Sequence, residues 1–104
     1  MTFDIIYVRD LEQTLREKDA VIIDIRTKEE YGREHWSGAI NIPLNDIELY
    51  ENLLDKQRYN ILYCQHGGNS MKLARYLGRR GYRTGSVVGG YEVMKKFLEN
   101  YFKK

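Results

Sequence analysis

The stretch from Asn60 to Ser70, Asn-Ile-Leu-Tyr-Cys-Gln-His-Gly-Gly-Asn-Ser, predicts a buried strand, a tight polar loop and the start of a helix. The apolar part ends at Cys64, the only cysteine of the chain, and the paired glycines Gly67 and Gly68 follow it. Glycine permits positive φ angles, so this backbone can curl and turn successive N–H groups toward one centre. The positive end of the following helix dipole also points there, which favours an anion and shifts a thiol toward the nucleophilic thiolate. We therefore predict an active-site loop with Cys64 as its nucleophile.

A helix is predicted directly behind this loop. Apolar residues recur at helical spacing as far as Leu77, and Gly81 supplies a stop. Asn69 or Ser70 is expected to cap the start of this helix with a side-chain oxygen. Free cysteine is usually a buried and inert residue, and the adjoining glycines and helix start are what favour a reactive Cys64 here.

Strands alternate with helices along the whole chain. Apolar runs predict strands at residues 3–8, 21–25, 39–43, 60–64 and 82–88. Helices are predicted with Asp10 as a cap, with a capping box of Thr27 and Glu30, from Asn45 to Leu54, behind the cysteine loop, and through Tyr101. This alternation predicts an α/β domain with a mostly parallel central sheet of about five strands and helices on both faces.

Ligand sites in such sheets lie beyond the carboxyl ends of the strands. Asp24, Arg26, Cys64 and Gly89 all lie near predicted carboxyl ends, so they are expected at one edge of the sheet. Asp24 and Arg26 are two residues apart on a strand and share a face. We interpret them as a structural ion pair that supports the loop rather than as an acid and base pair.

Length and composition limit the function classes. The 104 residues suit one domain, so we expect residues 1–104 to form a single domain. Lysine and arginine are scattered among aspartate and glutamate at a net charge of +2, which predicts no nucleic-acid partner. One cysteine and two distant histidines predict no disulfide and no metal site. No signal peptide or membrane span is recognisable, so we expect a cytoplasmic protein without membrane contact or cofactor.

Four stretches resemble the signatures of the single-domain rhodaneses, the thiosulfate sulfurtransferase-like family. They are residues 21–26, Glu30-Tyr31 with His35 and residues 38–43, the loop 64–70, and residues 88–91. Their order and spacing together cover nearly all of the chain. The resemblance implies a rhodanese-like three-layer α/β domain.

The resemblance also implies a reaction. Cys64 would take a sulfane sulfur from thiosulfate or another donor, hold it as a persulfide, and pass it to a thiol or to cyanide. Backbone N–H groups of the loop would bind the anionic donor. The residues of that loop are Gln65, His66, Gly67, Gly68, Asn69 and Ser70. The implied partners are a small anionic sulfur donor and a thiol or protein acceptor.

One feature of the loop differs from the common family pattern. Many family members carry an arginine where this chain has Asn69, and its replacement weakens the grip on a dianion. His66 could serve as a base for the thiol, but in a curled loop we expect its side chain to point outward.

Two other function classes stay open. One is a phosphatase or arsenate reductase, disfavoured because cysteine phosphatases place an arginine at the position of Ser70. The other is a non-catalytic or partner-dependent sulfur-relay module.

Overall fold

The structure, a computed structural model, describes residues 2–102 apart from the side chain of Leu53. Its five strands are β1 (Asp4–Ile6), β2 (Ala20–Asp24), β3 (Ile40–Asn41), β4 (Tyr59–Tyr63) and β5 (Arg83–Val87). Its α-helices are α1 (Val8–Glu17), α2 (Lys28–Arg33), α3 (Ile47–Tyr50), α4 (Gly68–Arg79) and α5 (Gly90–Phe102). Short 3₁₀ turns at Leu44–Asp46 and Glu51–Leu53 flank α3. No helix within residues 2–102 is both long and apolar enough to cross a membrane.

The strands form one parallel sheet in the order β1-β5-β4-β2-β3. The central strand β4 lies between β2 and β5, where Ile61 is opposite both Ile22 and Gly85. Every residue of β4 is buried, as expected for a parallel strand covered on both faces. The predicted α/β architecture, with a parallel sheet of about five strands, is confirmed.

Successive residues of β4 point into two separate cores. Ile61 and Tyr63 pack in one core with Leu11 of α1 and Met94 of α5. Leu62 and Cys64 face the opposite side, and the residues of α4 that pack with them are Leu73, Ala74 and Leu77. The helices therefore cover both faces, and the two-residue period of the strand places Cys64 on the side of α4.

The first strand and helix differ from the prediction at their boundary. The strand ends at Ile6, and α1 begins at Val8 with Tyr7 as its N-cap. Asp10 therefore lies in the first turn and does not cap the helix. A carboxylate in that turn still interacts favourably with the helix dipole, which explains why the sequence resembled a cap. The predicted capping box of Thr27 and Glu30 is confirmed at the start of α2.

The predicted helix from Asn45 to Leu54 was wrong in length. The segment is divided into the two 3₁₀ turns and the single turn of α3. Ile47 is buried, but Leu49 and Tyr50 are exposed, so the apolar stripe is narrow. Helices in proteins are stabilised mainly by packing of an apolar face against the core. The narrow apolar stripe of this segment therefore supports only a short helix.

The cap expected for α4 was also wrong. The N-cap is Gly67, which has a φ of +102° and no side chain that could cap the helix. Asn69 and Ser70 instead lie inside the first turn of the helix. A positive φ is what glycine adopts at low cost, so the backbone can turn sharply between Cys64 and α4. Ser70 is thereby directed into the protein, where it is fully buried.

Candidate active site

The Cys64 side chain follows β4 directly and is only 7% exposed. Its Sγ accepts hydrogen bonds from the backbone N–H of Gly67 at 3.0 Å and of Ser70 at 3.3 Å. Both donors belong to the N-terminal end of α4, where backbone N–H groups have no partner within the helix. Such N–H donors bind a negatively charged acceptor more strongly than a neutral one. The loop thus presents a sulfur held in a cup of peptide dipoles.

A pair of buried hydroxyls lies behind this sulfur. Ser70 Oγ is 3.4 Å from Cys64 Sγ and 2.8 Å from Oγ of Ser86, which belongs to β5. Ser70 Oγ also donates to the carbonyl of Gly67 at 3.2 Å. When the sulfur is a thiol, its S–H can donate to Ser70. When it is a thiolate, the Ser70 hydroxyl can turn toward it, and Ser86 can then donate to Ser70 Oγ.

Ser86 was not among the residues expected from the sequence. The only signal was a small polar residue near the carboxyl end of a buried strand. The persulfide that the family resemblance implies on Cys64 is expected to form about tenfold more slowly in Ser70→Ala and about threefold more slowly in Ser86→Ala, as for loss of one neutral hydrogen bond. Single-turnover kinetics with thiosulfate measure these rates.

Thr84→Val is the matched control for Ser86→Ala. Thr84 is also a buried hydroxyl residue of β5, but its Oγ1 donates to the Ala74 carbonyl and not toward the sulfur. Loss of the Thr84 hydroxyl is expected to lower the free energy of unfolding and to leave the rate of persulfide formation in the folded protein unchanged. Equal rate losses in Ser86→Ala and Thr84→Val would contradict a role for the hydroxyl pair.

The outer side of the loop is fastened by the start of α5. The N–H groups of Tyr91 and Glu92 donate to the carbonyls of Cys64 at 2.8 Å and Gln65 at 3.1 Å. Gly90 makes this close approach possible, since a Cβ there would lie 2.4 Å from the Cys64 carbonyl oxygen. The loop therefore turns carbonyls toward α5 and N–H groups toward its own sulfur.

Asp24 and Arg26 form a buried ion pair beneath the loop. Arg26 Nη2 lies 2.8 Å from Asp24 Oδ2, and both side chains are almost completely buried. Arg26 Nη1 also donates to Gln65 Oε1 at 3.2 Å, which connects β2 to the loop. Burial opposes the charged guanidinium, but the hydrogen bond and negative charge of Asp24 outweigh burial and raise the pKa of Arg26. The pair is connected to the loop through Gln65, which fits a supporting position.

His66 points away from Cys64. Its side chain is 75% exposed, and Nδ1 lies 2.8 Å from Oε2 of Glu92. Exposed pairs of this kind contribute little, so we expect His66→Ala to lower the rate of the sulfur transfer that the resemblance implies by less than about threefold. Steady-state kinetics of the purified variant check this. A loss as complete as that of Cys64→Ser would show that His66 takes part in the chemistry.

A cleft of about 250 Å³ opens above the sulfur. Arg26 and Glu30 are its only charged lining residues within the described part of the chain, and Gln65 and Asn69 contribute amides. Gly68 is exposed at the first position of α4 and does not line this cleft. Across residues 2–102, no group of three or more His, Cys, Asp or Glu is arranged to hold a metal ion. The cleft is of a size for a small molecule whose reacting atom meets Cys64.

The chain belongs to the rhodanese-like domain family, whose model matches residues 7–96. It is 30% identical over 84 residues to thiosulfate sulfurtransferase GlpE of Coxiella burnetii, covering 80% of this chain and 78% of that protein. It is 38% identical over 81 residues to a tRNA sulfurtransferase of Desulfurococcus amylolyticus, covering 78% of this chain but 16% of that protein.

Solved structures agree with this assignment. A rhodanese-like domain protein from Staphylococcus aureus superposes with a TM-score of 0.80 at 29% identity, covering 88% of this chain and 91% of that one. The reduced CoADR-RHD of Bacillus anthracis gives a TM-score of 0.86 at 23% identity and shows the same fold, over 95% of this chain and 18% of that one. Family membership and the sulfurtransferase relatives support a role in sulfur transfer.

Proposed function

We propose that this protein is a thiosulfate sulfurtransferase of the rhodanese type that carries a sulfane sulfur on Cys64 as a persulfide. The observation that supports this most directly is the Cys64 sulfur in its cleft, 3.0 Å from the Gly67 N–H and 3.3 Å from the Ser70 N–H. The proposed donor is thiosulfate or a persulfide, and the acceptor is a thiol or cyanide. Covalent catalysis of this kind predicts ping-pong kinetics.

The proposed reaction has two displacements. The Cys64 thiolate attacks the outer sulfur of thiosulfate, the S–S bond of the donor breaks, and its electron pair leaves on sulfite. Cyanide or a thiolate then attacks the terminal sulfur of the persulfide, and the electron pair of the second S–S bond returns to Cys64. The N–H groups of the loop are already aimed at the sulfur, so they stabilise negative charge there without reorganisation.

Mass spectrometry of the intact chain tests the proposal. After incubation with thiosulfate, we expect a gain of one sulfur atom that maps to the Cys64 peptide and is removed by cyanide with release of thiocyanate. Cys64→Ser is the control and should gain nothing. If neither thiosulfate nor a small-molecule persulfide loads Cys64, the proposal is wrong.

The same experiment separates the alternatives. Release of phosphate from an aryl phosphate without a sulfur adduct would indicate a phosphatase, and reduction of arsenate an arsenate reductase. Neither is favoured, because Ser70 lies where cysteine phosphatases place their arginine. Loading of Cys64 only in the presence of a partner protein would indicate a sulfur-relay module. The cytoplasmic location and the absence of nucleic-acid, membrane and cofactor partners stay predictions.

Asn69 is expected to limit the use of thiosulfate. It is exposed at the cleft, where Arg26, the one cation among the described lining residues, is already paired with Asp24. A guanidinium at position 69 would bind a dianion more tightly, so Asn69→Arg should raise kcat/KM for thiosulfate about tenfold. Initial rates at several thiosulfate concentrations measure this gain.

Asn69→Gln is the matched control for the charge. It lengthens the side chain without adding a cation and should leave kcat/KM for thiosulfate within about twofold of the parent value. The gain in Asn69→Arg should also shrink as ionic strength rises, because salt screens exposed charges. An equal gain in both variants would contradict the electrostatic explanation.

A further inference from the structure

A separate cleft of about 520 Å³ lies on the other side of the sheet from Cys64. It is formed by the C-terminal halves of α1 and α5 and by the segment that follows α2. Both helices pack in the core that contains Tyr63, through Leu11 and Met94, whereas Cys64 belongs to the core beside α4. None of the described residues that line this α1–α5 cleft also lines the cleft above Cys64. A ligand bound here would not reach the cysteine.

The walls of the α1–α5 cleft are mostly apolar. Leu15 of α1 and Leu98 of α5 are half-buried against the core that contains Trp36, and all three side chains line the cleft. Phe102, at the end of α5, lines it as well and is largely exposed. Sites for small molecules are typically clefts of about 300–1,000 Å³ with mostly apolar walls and a few polar groups. The α1–α5 cleft has the size and the walls of such a site.

One of the few polar groups in these walls is the indole N–H of Trp36. The residue is only 5% exposed, and its backbone N–H donates to Tyr63 Oη at 3.1 Å, which fixes its position. Within residues 2–102 the indole Nε1 meets no acceptor, and Asn60 Oδ1 is the only completely buried side-chain N or O there without a partner. The indole nitrogen is therefore reached from outside, through the cleft that Trp36 lines. A nearly buried indole N–H normally has an acceptor, which a ligand can supply here.

The rim of the α1–α5 cleft adds further donors. Ser37 contributes a hydroxyl, and Arg16 Nη1 lies 4.0 Å from Oε2 of Glu12, which is longer than a hydrogen bond. The Arg16 guanidinium therefore keeps its donors available to a ligand. His35 is held at the rim because its ring stacks on Tyr31 at 3.8 Å and its Nδ1 donates to the Tyr31 carbonyl at 2.8 Å. Glu12 is the only carboxylate among the described lining residues, so donors predominate.

We infer that the α1–α5 cleft binds a small apolar monocarboxylate. Its hydrocarbon body would lie against Leu98 and Phe102, and its carboxylate would accept hydrogen bonds from the Trp36 indole and the Arg16 guanidinium. A neutral alcohol of the same shape would lose the charge-assisted bond to Arg16. An ammonium would find only Glu12, which already has Arg16 beside it. The inference does not depend on sulfur transfer.

Trp36 is the only tryptophan of the chain, so its fluorescence reports on the cleft directly. The probes are octanoate, octanol and octylammonium, which share a chain length and differ in charge. We expect saturable quenching or enhancement by octanoate with a Kd on the order of 0.1–1 mM, at least about threefold weaker binding of octanol and about tenfold weaker binding of octylammonium. Hexanoate should bind about three- to tenfold more weakly than octanoate, because two buried CH₂ groups are lost. Equal affinity for octanoate and octylammonium, or no saturation at millimolar octanoate, would overturn the inference.

Arg16→Gln tests the charge of the rim. We expect it to weaken octanoate binding about fivefold and to leave octanol binding within about twofold of the parent value. Arg9→Gln is the matched control, since Arg9 is exposed on the same helix and does not line the cleft. An equal loss of octanoate affinity in both variants would show a general effect of net charge and would contradict a site at Arg16.

Trp36→Phe tests the indole N–H. Phenylalanine keeps an aromatic wall but removes the donor and the fluorophore, so NMR titration of backbone amides follows octanoate binding in this variant and in the parent protein. We expect shifts confined to α1, α5 and residues 35–37, and an affinity about three- to tenfold lower in Trp36→Phe. Unchanged affinity, or shifts spread over the whole surface of the parent protein, would refute the site. The Arg16→Gln comparison decides the question without this variant, and failure of octanoate to bind would leave the proposed role of Cys64 unaffected.

Discussion

Replacing Cys64 with serine is expected to lower the rate of sulfur transfer by at least about a thousandfold, since the alcohol cannot form the covalent persulfide. Serine is nearly isosteric with cysteine, and its oxygen can still accept from the N–H groups of Gly67 and Ser70. We therefore expect the free energy of unfolding to change by no more than about 1 kcal/mol. Thiocyanate formation and urea denaturation measure the two quantities separately.

Cys64→Ala extends this experiment to the hydrogen bonds. Alanine leaves the same two N–H donors without an acceptor in a buried position. We expect Cys64→Ala to be less stable than Cys64→Ser by about 1–3 kcal/mol, with the same loss of transfer. If Cys64→Ser kept more than about a tenth of the parent rate, the sulfur would not be the carrier, and the covalent mechanism would be wrong.

Local signals in the sequence were sufficient to predict the centre of the fold. The apolar run before Cys64 and the glycines after it predicted a strand, a loop and a helix, and all three are present. The capping box of Thr27 and Glu30 was equally local, since both partners lie within one helical turn. Such features depend on residues close in the chain, so their patterns survive without knowledge of the tertiary structure.

Long-range features of the site were not predictable in this way. The hydrogen bond between Ser70 and Ser86 requires the register in which Ser86 lies beside Leu62 of β4. The hydrogen bond from the Tyr91 N–H to the Cys64 carbonyl requires α5 to begin beside the carboxyl ends of the strands. A local sequence pattern does not specify either of these long-range contacts. The error at the start of α4 has a different cause, because glycine can occupy an N-cap by its conformation alone.

Replacing Asp24 with asparagine is expected to lower the free energy of unfolding by about 3 kcal/mol, because it leaves the buried Arg26 charge without its counter-ion. Asp24 is fully buried and accepts from the Arg26 backbone N–H, Nε and Nη2. Proteins of this size have total stabilities of about 5–15 kcal/mol, so this is a large share. Urea denaturation of parent and variant gives the difference.

A double variant separates the stability of the pair from its influence on the loop. Asp24→Leu combined with Arg26→Met removes both charges, and well-packed apolar replacements of a buried ion pair are often neutral for stability. We expect the double variant to recover most of the stability that Asp24→Asn loses. It also removes the donor to Gln65, so the loop loses its connection to β2. Sulfur transfer by the double variant should therefore be at least about tenfold slower than by the parent protein. Recovery of full activity together with stability would show that Arg26 does not position the loop, whereas a double variant as unstable as Asp24→Asn would show that the apolar pair does not pack there.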